Sequence, residues 1–124
     1  MFNNIYKNKK VLVTGHTGFK GSWLVTWLLK LEANVIGASI DIPTDPSIFE
    51  ALELEKRIIH YFIDIRNLEE IKKIVYKHEP DFIFHLAAQA IVSKSYIDPV
   101  DTISTNVMGT VNILEALRHY KKNV

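Results

Sequence analysis

Three glycines near the start of the chain have the spacing and setting of a phosphate-binding turn. Gly15, Gly18 and Gly21 follow the apolar run of residues 11–14 and precede an apolar stretch of helical length. Gly15 can adopt the positive φ of a tight turn, and Gly18 leaves room for backbone N–H groups to approach a pyrophosphate. Gly21 lets the helix lie close on the sheet. The GxxGxxG spacing also fits a loop that merely needs glycine, but a strand before it and a helix after it favour a nucleotide-phosphate site.

The composition excludes several other kinds of chemistry and partner. The chain has 124 residues, 48% of them hydrophobic and 23% charged, as expected of one soluble globular domain. Its 15 basic and 14 acidic residues give a net charge of +1, so no strong field attracts nucleic acid or an acidic membrane. The absence of cysteine excludes disulfides, thiolate catalysis and cysteine-ligated zinc. The histidines lack metal-ligand spacing, so we expect no metal site.

Neither a membrane span nor a signal peptide is indicated. The longest near-apolar run, residues 23–29, is far shorter than the roughly 20 residues that a membrane span needs. The first residues lack the charged and then apolar order of a signal peptide. We therefore expect a cytoplasmic protein that binds neither nucleic acid nor membrane.

Apolar runs of strand length alternate with stretches of helical periodicity, which predicts βαβ units and a parallel sheet. The predicted strands are residues 10–14, 34–39, 58–63 and 81–86. The predicted helices are residues 19–31, residues 47–54 with Ser47 as N-cap, a helix that Asn67 caps and Pro80 ends, and residues 99–120, while residues 41–46 and 87–95 form loops. Right-handed crossovers then put the strands in the order 3-2-1-4, with ligands in the crevice at their carboxyl ends.

This order predicts the N-terminal half of a Rossmann-like α/β fold, a doubly wound parallel sheet. Such a domain normally has about six strands in two halves. We therefore expect the fold of residues 1–124 to be incomplete, with the catalytic and substrate-binding remainder absent from these residues.

The apolar periodicity also predicts which helix faces pack on the sheet. The first helix is expected to bury a broad face made of Trp23, Trp27, Leu31, Leu24 and Leu28. The last helix has Ile103, Val107, Val111, Leu114 and Leu117 on one side, and Thr102, Asn106, Met108 and Leu117 among its outward residues. His85, in the buried fourth strand, is expected to be a hydrogen-bonded core histidine, whereas His16 can face either a cofactor or solvent.

Three longer segments resemble the extended short-chain dehydrogenase/reductase family. They are Val-Leu-Val-Thr-Gly-His-Thr-Gly-Phe-Lys-Gly-Ser at residues 11–22, His-Leu-Ala-Ala-Gln-Ala at residues 85–90 and Thr-Asn-Val-Met-Gly-Thr at residues 105–110. They stand in the family's order and span nearly the whole chain. The finer wording of residues 15–23, 41–50 and 88–96 is most similar to the CDP-glucose 4,6-dehydratase subfamily.

The resemblance implies bound NAD and a nucleotide-sugar substrate, CDP-glucose. Such enzymes pass a hydride from C4 of the sugar to NAD, eliminate water across C5 and C6, and return the hydride to C6. The product implied is a CDP-4-keto-6-deoxyhexose for surface polysaccharide. A nucleotide-sugar epimerase or reductase of the same superfamily remains an alternative, and so does a non-catalytic nucleotide-binding domain.

The resemblance also assigns roles to residues. The pyrophosphate turn is implied to be Gly15, Gly18 and Gly21, flanked by Thr17, Phe19 and Lys20, where Lys20 meets either a phosphate or water. Asp64, beside Ile65, matches the aspartate that binds the adenine amino group, or else serves only its own turn. Leu86, Ala87, Ala88 and Gln89 match the loop along the ribose and nicotinamide side. Asn106 matches an asparagine that joins a polar network supporting catalysis, and Ser93, Lys94 and Ser95 match the region that meets the nucleotide sugar.

The chain departs from the family pattern at the ribose-binding acid. Relatives that use NAD usually end the second strand with an acid, but that register holds Ser39 here. Asp41 follows two residues later and can reach the ribose if the strand end bends. No arginine stands nearby to clamp a 2′-phosphate, which favours NAD over NADP.

The family's catalytic tyrosine and lysine are expected beyond residue 124. Tyr6 and Lys10 have the right spacing but precede the first strand, so we interpret the match as coincidence. The sequence therefore predicts no catalytic residue in this chain and no turnover by it alone. Relatives also pair through long helices, so self-association through residues 99–120 is a further hypothesis.

Overall fold

Four parallel strands form the sheet in the computed structural model, which describes residues 1–120 and 124. The strands are β1 (Lys10–Thr14), β2 (Asn34–Ser39), β3 (Ile59–Phe62) and β4 (Phe82–His85), in the order β3-β2-β1-β4. This order confirms the predicted half of a doubly wound sheet. Thr14 pairs with Ala38 on one side and His85 on the other, so the strands end together at one edge.

Six α-helices accompany the sheet within the described residues. They are α1 (Phe19–Lys30), α2 (Ile48–Ala51), α3 (Leu68–His78), α4 (Val92–Ile97), α5 (Pro99–Ile103) and α6 (Gly109–Arg118), with 3₁₀ turns at Phe2–Asn4 and Leu54–Lys56. The predicted caps are confirmed, because the side chains of Ser47 and Asn67 accept the N–H of Glu50 and Glu70.

Two predictions about residues 87–120 need correction. The predicted loop of residues 87–95 runs into α4, so its last residues are helical. The predicted single helix of residues 99–120 contains a π-helical segment, Ser104–Met108, which joins α5 to α6. Such segments often occur at functional sites.

Both faces of the sheet are covered, and successive β1 residues point to opposite cores. Val11 and Val13 pack with α1, α2 and the following 3₁₀ turn, whereas Leu12 packs with α3 and α6. The first core contains Val11, Val13, Val25, Leu28, Ala33, Val35, Phe49 and Leu54. The second contains Leu12, Ile36, Ala38, Ile63, Ile65, Ile71, Ile74, Val75, Ile113 and Ala116.

The predicted buried face of α1 is only partly right. Leu28 is buried and Leu24 packs partly buried against the first core, as predicted, but Trp23 and Trp27 are 55% and 48% exposed. The helix buries Gly21, Ser22 and Val25 in their place. The reason is close contact at Gly21, where an added Cβ would lie 2.8 Å from the Cα of His16. Since the helix lies this near the strand turn, it presents its small side chains to the sheet, and Trp27 packs beside Phe2 with ring centroids 5.5 Å apart.

The predicted face of the last helix is also wrong. Ile103, Val107, Val111 and Leu114 are exposed and form an outward apolar row, while Asn112, Ile113 and Ala116 are buried. Leu117, expected to be outward, packs partly buried against the second core. The helix has apolar residues on two faces, and the smaller side chains of one face permit the close packing on α3.

His16 lies in the first core and faces neither solvent nor the ligand crevice. Its side chain is 0% exposed, between Phe49 and His60 at ring-centroid distances of 5.2 and 5.6 Å. The ring fits because Gly37 has no side chain; a Cβ there would lie 2.7 Å from His16 Nε2. His16 Nδ1 lies 2.9 Å from the Ser39 hydroxyl. Burial lowers the pKa of His16 to about 4.

This burial predicts loss of stability in mild acid. His16 in the unfolded chain takes up a proton as the pH falls below about 6.5, whereas the folded protein resists protonation until about 4. The free energy of unfolding should therefore decrease between these pH values, by up to about 3 kcal/mol from His16. Urea unfolding at a series of pH values measures the slope.

Two variants test the assignment to His16. His16→Gln should flatten the slope, although not to zero, because burial also lowers the pKa of His78 and His85. His119→Gln, at an exposed position, should keep the slope of the unchanged protein. An unchanged slope in His16→Gln would show that another group controls acid stability.

Candidate nucleotide-binding site

The glycine turn joins β1 to α1 at the carboxyl edge of the sheet. Gly15 has φ +73°, and a Cβ there would lie 2.8 Å from the backbone nitrogen of Ala87. Gly18 is different: a Cβ there would meet only the Gly15 carbonyl, at 3.5 Å, within a 4 Å radius. The turn therefore needs glycine at residue 15 for the fold, but Gly18 leaves open space beside the start of α1.

The start of α1 has the electrostatic character of an anion site. Gly18 is the N-cap, no side chain caps the helix, and its first turn contains no acidic residue. The first N–H groups of a helix lack intrahelical acceptors and carry partial positive charge. An anionic group in the space beside Gly18 would supply acceptors for them.

The residues that flank the glycine turn differ in burial: Thr17 faces the protein interior, whereas Phe19 and Lys20 face solvent. Thr17 is buried, and its hydroxyl donates to the Asp41 carbonyl over 2.6 Å. Its side chain thus ties the turn to the loop after β2 and does not reach into the crevice. Phe19 and Lys20 are exposed at the helix start.

At the end of β2, the side chains of Ser39 and Asp41 differ in whether a ligand could reach them. The Ser39 hydroxyl is buried and bonded to His16 Nδ1, so it faces the core. Asp41 is exposed two residues later, and its backbone is held by Thr17. Of these two side chains, only the Asp41 carboxylate is open to a ligand.

Asp64 lies two residues after the end of β3 and closes a turn with Arg66. Its Oδ1 accepts the backbone N–H of Arg66 at 2.9 Å, and Nη2 of Arg66 lies 2.6 Å from Oδ2. Hydrogen bonds from this guanidinium hold the pKa of Asp64 below its usual range. Arg66 also contacts Asp101 on α5 at 2.8 Å. Ile65 is 5% exposed in the second core, so only its backbone is available to a ligand.

A chain of hydrogen bonds connects the ends of β1 and β4. The Thr14 hydroxyl oxygen accepts the N–H groups of Leu86 and Ala87, each at 3.1 Å. Its hydrogen therefore goes to His85 Nδ1, 2.7 Å away. His85 then carries its proton on Nε2 and donates it to Thr110 Oγ1 over 3.1 Å. Burial lowers the pKa of His85, which favours this neutral form. His85 is hydrogen-bonded as predicted, but it is half-buried on the edge strand β4 and not in the core.

Asn106 clamps the loop that follows β4. Its Oδ1 accepts the backbone N–H of Gln89 at 2.7 Å, and its Nδ2 donates to the Gln89 carbonyl at 3.0 Å. The Gln89 side chain in turn donates to Thr102 Oγ1 at 2.9 Å. Asn106 lies in the π-helical segment, and Thr110 donates to its backbone carbonyl at 2.7 Å. The structure thus places Leu86 and Ala87 beside Gly15, and Asn106 holds the same loop two residues further on, at Gln89.

The three residues expected to meet a nucleotide sugar lie on α4. Lys94 Nζ is 3.1 Å from Asp101, and the Ser95 hydroxyl donates to the Val92 carbonyl over 2.6 Å. Ser93 is exposed. The salt bridges of Lys94 and Arg66 to Asp101 link α4 to the Asp64 turn.

Sequence reasoning missed two polar residues that support the site. Thr14 ends β1 and organises the β4 loop, and Asn112 on α6 donates to the carbonyls of Ile65 and Arg66. Each lies in an otherwise apolar buried face. A polar residue within an apolar pattern is the signal that the sequence offers for Thr14 and Asn112, because a buried polar side chain usually has a hydrogen-bond partner.

Residues 1–120 and 124 contain no group of three His, Asp or Glu side chains placed to hold a metal ion. None of the helices in this part of the chain has the length and hydropathy to cross a bilayer.

Comparison with known proteins agrees with this architecture. The family model described as GDP-mannose 4,6 dehydratase matches residues 12–124. The CDP-glucose 4,6-dehydratase of Salmonella typhimurium is 46% identical over 115 residues, covering 93% of this chain and 32% of that enzyme. The dTDP-glucose 4,6-dehydratase of Haemophilus influenzae is 33% identical, covering 89% and 33%.

Solved structures show the same fold. The UDP-glucose 4-epimerase of Thermotoga maritima, solved with UDP-glucose, has a TM-score of 0.81 and 31% identity, covering 91% of this chain and 35% of that one. The UDP-glucose 4-epimerase of Thermus thermophilus, in complex with NAD, has a TM-score of 0.79 and 32% identity, covering 90% and 34%. The chain thus spans about a third of the length of the relatives it matches. On the match across residues 12–124, the chain belongs to the GDP-mannose 4,6 dehydratase family, and its resemblance to extended short-chain dehydrogenases/reductases is confirmed.

Proposed function

We propose that this chain is the cofactor-binding part of a nucleotide-sugar 4,6-dehydratase and that it binds NAD at the carboxyl edge of β1. The observation that carries the proposal is the open space at Gly18, beside uncapped helix N–H groups and opposite the β4 loop. The Thermus thermophilus epimerase, which shares this fold, was solved with NAD. The similarity to the Salmonella typhimurium enzyme supports CDP-glucose as the substrate.

The residues around the crevice form two groups, one suited to the adenosine half of a dinucleotide and the other to its nicotinamide half. The exposed Asp41 carboxylate and Asp64 lie after β2 and β3, where they suit the adenosine ribose and the adenine amino group. The small Ala87 and Ala88, with Gln89, lie after β4 and suit the ribose and nicotinamide side. The glycine turn lies between them, where the pyrophosphate would receive N–H groups of the turn and of α1.

NAD, when bound, would supply the redox chemistry of the reaction as the acceptor and donor of hydride. The role of this chain is to hold and orient the dinucleotide. Thr14 and Asn106 fix the β4 loop, and His85 links the end of β4 to Thr110 on α6. We propose that the acid and base groups lie outside residues 1–124 and that this chain alone does not convert CDP-glucose.

A 4-epimerase is the second candidate, favoured by the TM-scores of 0.81 and 0.79 to two UDP-glucose 4-epimerases. Product analysis of the full gene product separates the two reactions. A 4-keto-6-deoxy product from CDP-glucose supports the dehydratase, whereas an unoxidised C4 epimer supports the alternative.

We also propose that two copies associate through the outward apolar row on α5, the π-helical segment and α6. Ile103, Val107, Val111 and Leu114 form this row and are all exposed. Exposed apolar surface of this kind marks interaction sites in folded proteins.

The phosphate site is tested by filling the space at Gly18. Gly18 has φ −72° and ψ 170°, a conformation open to other residues, so Gly18→Val should fold. Its side chain would occupy the proposed pyrophosphate position and weaken NAD binding by at least about tenfold, the effect of losing one hydrogen bond to a charged group. Isothermal titration calorimetry measures the affinity.

Lys30→Val is the matched control, because it introduces the same residue at the exposed opposite end of α1. It should leave the NAD affinity unchanged. If Gly18→Val bound NAD as tightly as the unchanged protein, the cofactor would not lie in this turn.

Coenzyme choice tests Asp41. A 2′-phosphate beside this exposed carboxylate would meet like charge, so we expect NAD to bind at least about tenfold more tightly than NADP. Asp41→Asn should reduce that preference, and Asp45→Asn, an exposed acid in the same loop, should not. Tighter binding of NADP than of NAD by the unchanged protein would refute the assignment.

A further inference from the structure

Asn112 is a buried polar residue that the proposed function does not use. Its side chain is 8% exposed on α6, and its Nδ2 donates to the carbonyls of Ile65 at 3.0 Å and Arg66 at 2.8 Å. Both neighbours are acceptors only, so the amide nitrogen must face them. One side-chain amide thus holds two successive carbonyls of the turn that follows β3.

Gly109 lies about one helical turn before Asn112 and contacts the same turn after β3, at Ile65. A Cβ at Gly109 would lie 2.7 Å from Cγ1 of Ile65, so the Ile65 side chain packs directly on the helix backbone. The Ile65 side chain packs on the backbone of Gly109, and the Ile65 carbonyl accepts a hydrogen bond from Asn112. The turn is therefore attached to α6 at two points.

The Ile65–Arg66 peptide group connects Asn112 to Asp64. The carbonyl of this peptide accepts from Asn112, and the N–H of the same peptide donates to Asp64 Oδ1 over 2.9 Å. A peptide group is planar, so rotating it would lose both hydrogen bonds together. The two bonds also polarise one another in the same direction, which strengthens each.

We propose that Asn112 is a positioning residue that aims the Asp64 carboxylate at the amino group of an adenine. This inference rests on the proposed function, in which Asp64 accepts a hydrogen bond from the 6-amino group of NAD. Asp64 retains acceptor capacity for it, since about a third of its side chain is exposed (32%) beside the Arg66 ion pair. Without Asn112 the peptide can turn, and the carboxylate then loses the backbone N–H that fixes its orientation together with the Arg66 guanidinium.

The test compares NAD with nicotinamide hypoxanthine dinucleotide, which has a carbonyl in place of the 6-amino group and keeps the pyrophosphate. The unchanged protein should bind NAD about tenfold more tightly, the effect of one hydrogen bond to a charged group. In Asn112→Leu the preference should fall to within about twofold, through weaker NAD binding, while affinity for the hypoxanthine analogue changes little. Calorimetric titration of both ligands gives the ratio.

Two further variants separate positioning from general stability. Ile113→Val, at the adjacent buried position, should lower stability but keep the tenfold preference. Asn112→Ser, whose hydroxyl is too short to reach both carbonyls, should lose the preference as Asn112→Leu does, and it carries the test if the leucine variant does not fold.

The contrary outcomes are distinct. A tenfold preference that survives in the Asn112 variants overturns this inference and leaves the NAD site intact. Loss of the preference in Ile113→Val also overturns it, because destabilisation alone would then be sufficient. Equal affinities in the unchanged protein overturn the adenine role of Asp64, and with it both this inference and that part of the proposed function.

Discussion

The close approach of the β1 turn to the β4 loop is the constraint on which the site depends. Gly15 lies so near Ala87 that an added Cβ would be 2.8 Å from its backbone nitrogen. This contact brings the N–H groups of Leu86 and Ala87 to the Thr14 hydroxyl. The crevice therefore has backbone on both walls at this point, and a dinucleotide can lie against it without meeting bulky side chains.

Hydrogen bonding extends this contact into the helical layer. The Thr14 hydroxyl donates a hydrogen bond to His85, and His85 donates one to Thr110 on α6. The direction of the chain is set by Thr14, because its oxygen already accepts two N–H groups. A doubly protonated His85 would place a third donor against that oxygen, so the arrangement depends on a neutral imidazole. The β4 strand end is thereby attached to the helix that carries Asn106.

The parts of the fold that the sequence predicted are those with local signals. The β1 apolar run, the caps at Ser47 and Asn67, and right-handed crossovers were sufficient for the elements and strand order. The buried faces of α1 and α6 were only partly predictable, because each of these helices has two apolar faces. The choice was made by tertiary contacts, namely Gly21 against the glycine turn and Gly109 against Ile65.

The same distinction applies to the site. The glycines were predictable because positive φ and close approach leave few alternatives to glycine. Asn112 was not, because its partners are carbonyls of a turn 46 and 47 residues away in the chain. Its role follows only from the three-dimensional path of that turn.

The helical segment from α5 to α6 places the two halves of the crevice relative to one another. Asn106 clamps the loop after β4, and Asn112 holds the turn after β3, although these strands lie at opposite edges of the sheet. Loops tethered to one helix keep a fixed separation more reliably than loops tethered only to their own strands. A dinucleotide needs both ends located at once, since a misplaced nicotinamide would not meet its substrate even with the adenine bound. Asn106 lies in the π-helical segment Ser104–Met108 and Asn112 in α6, so one continuous helical stretch carries the side chains that hold both loops.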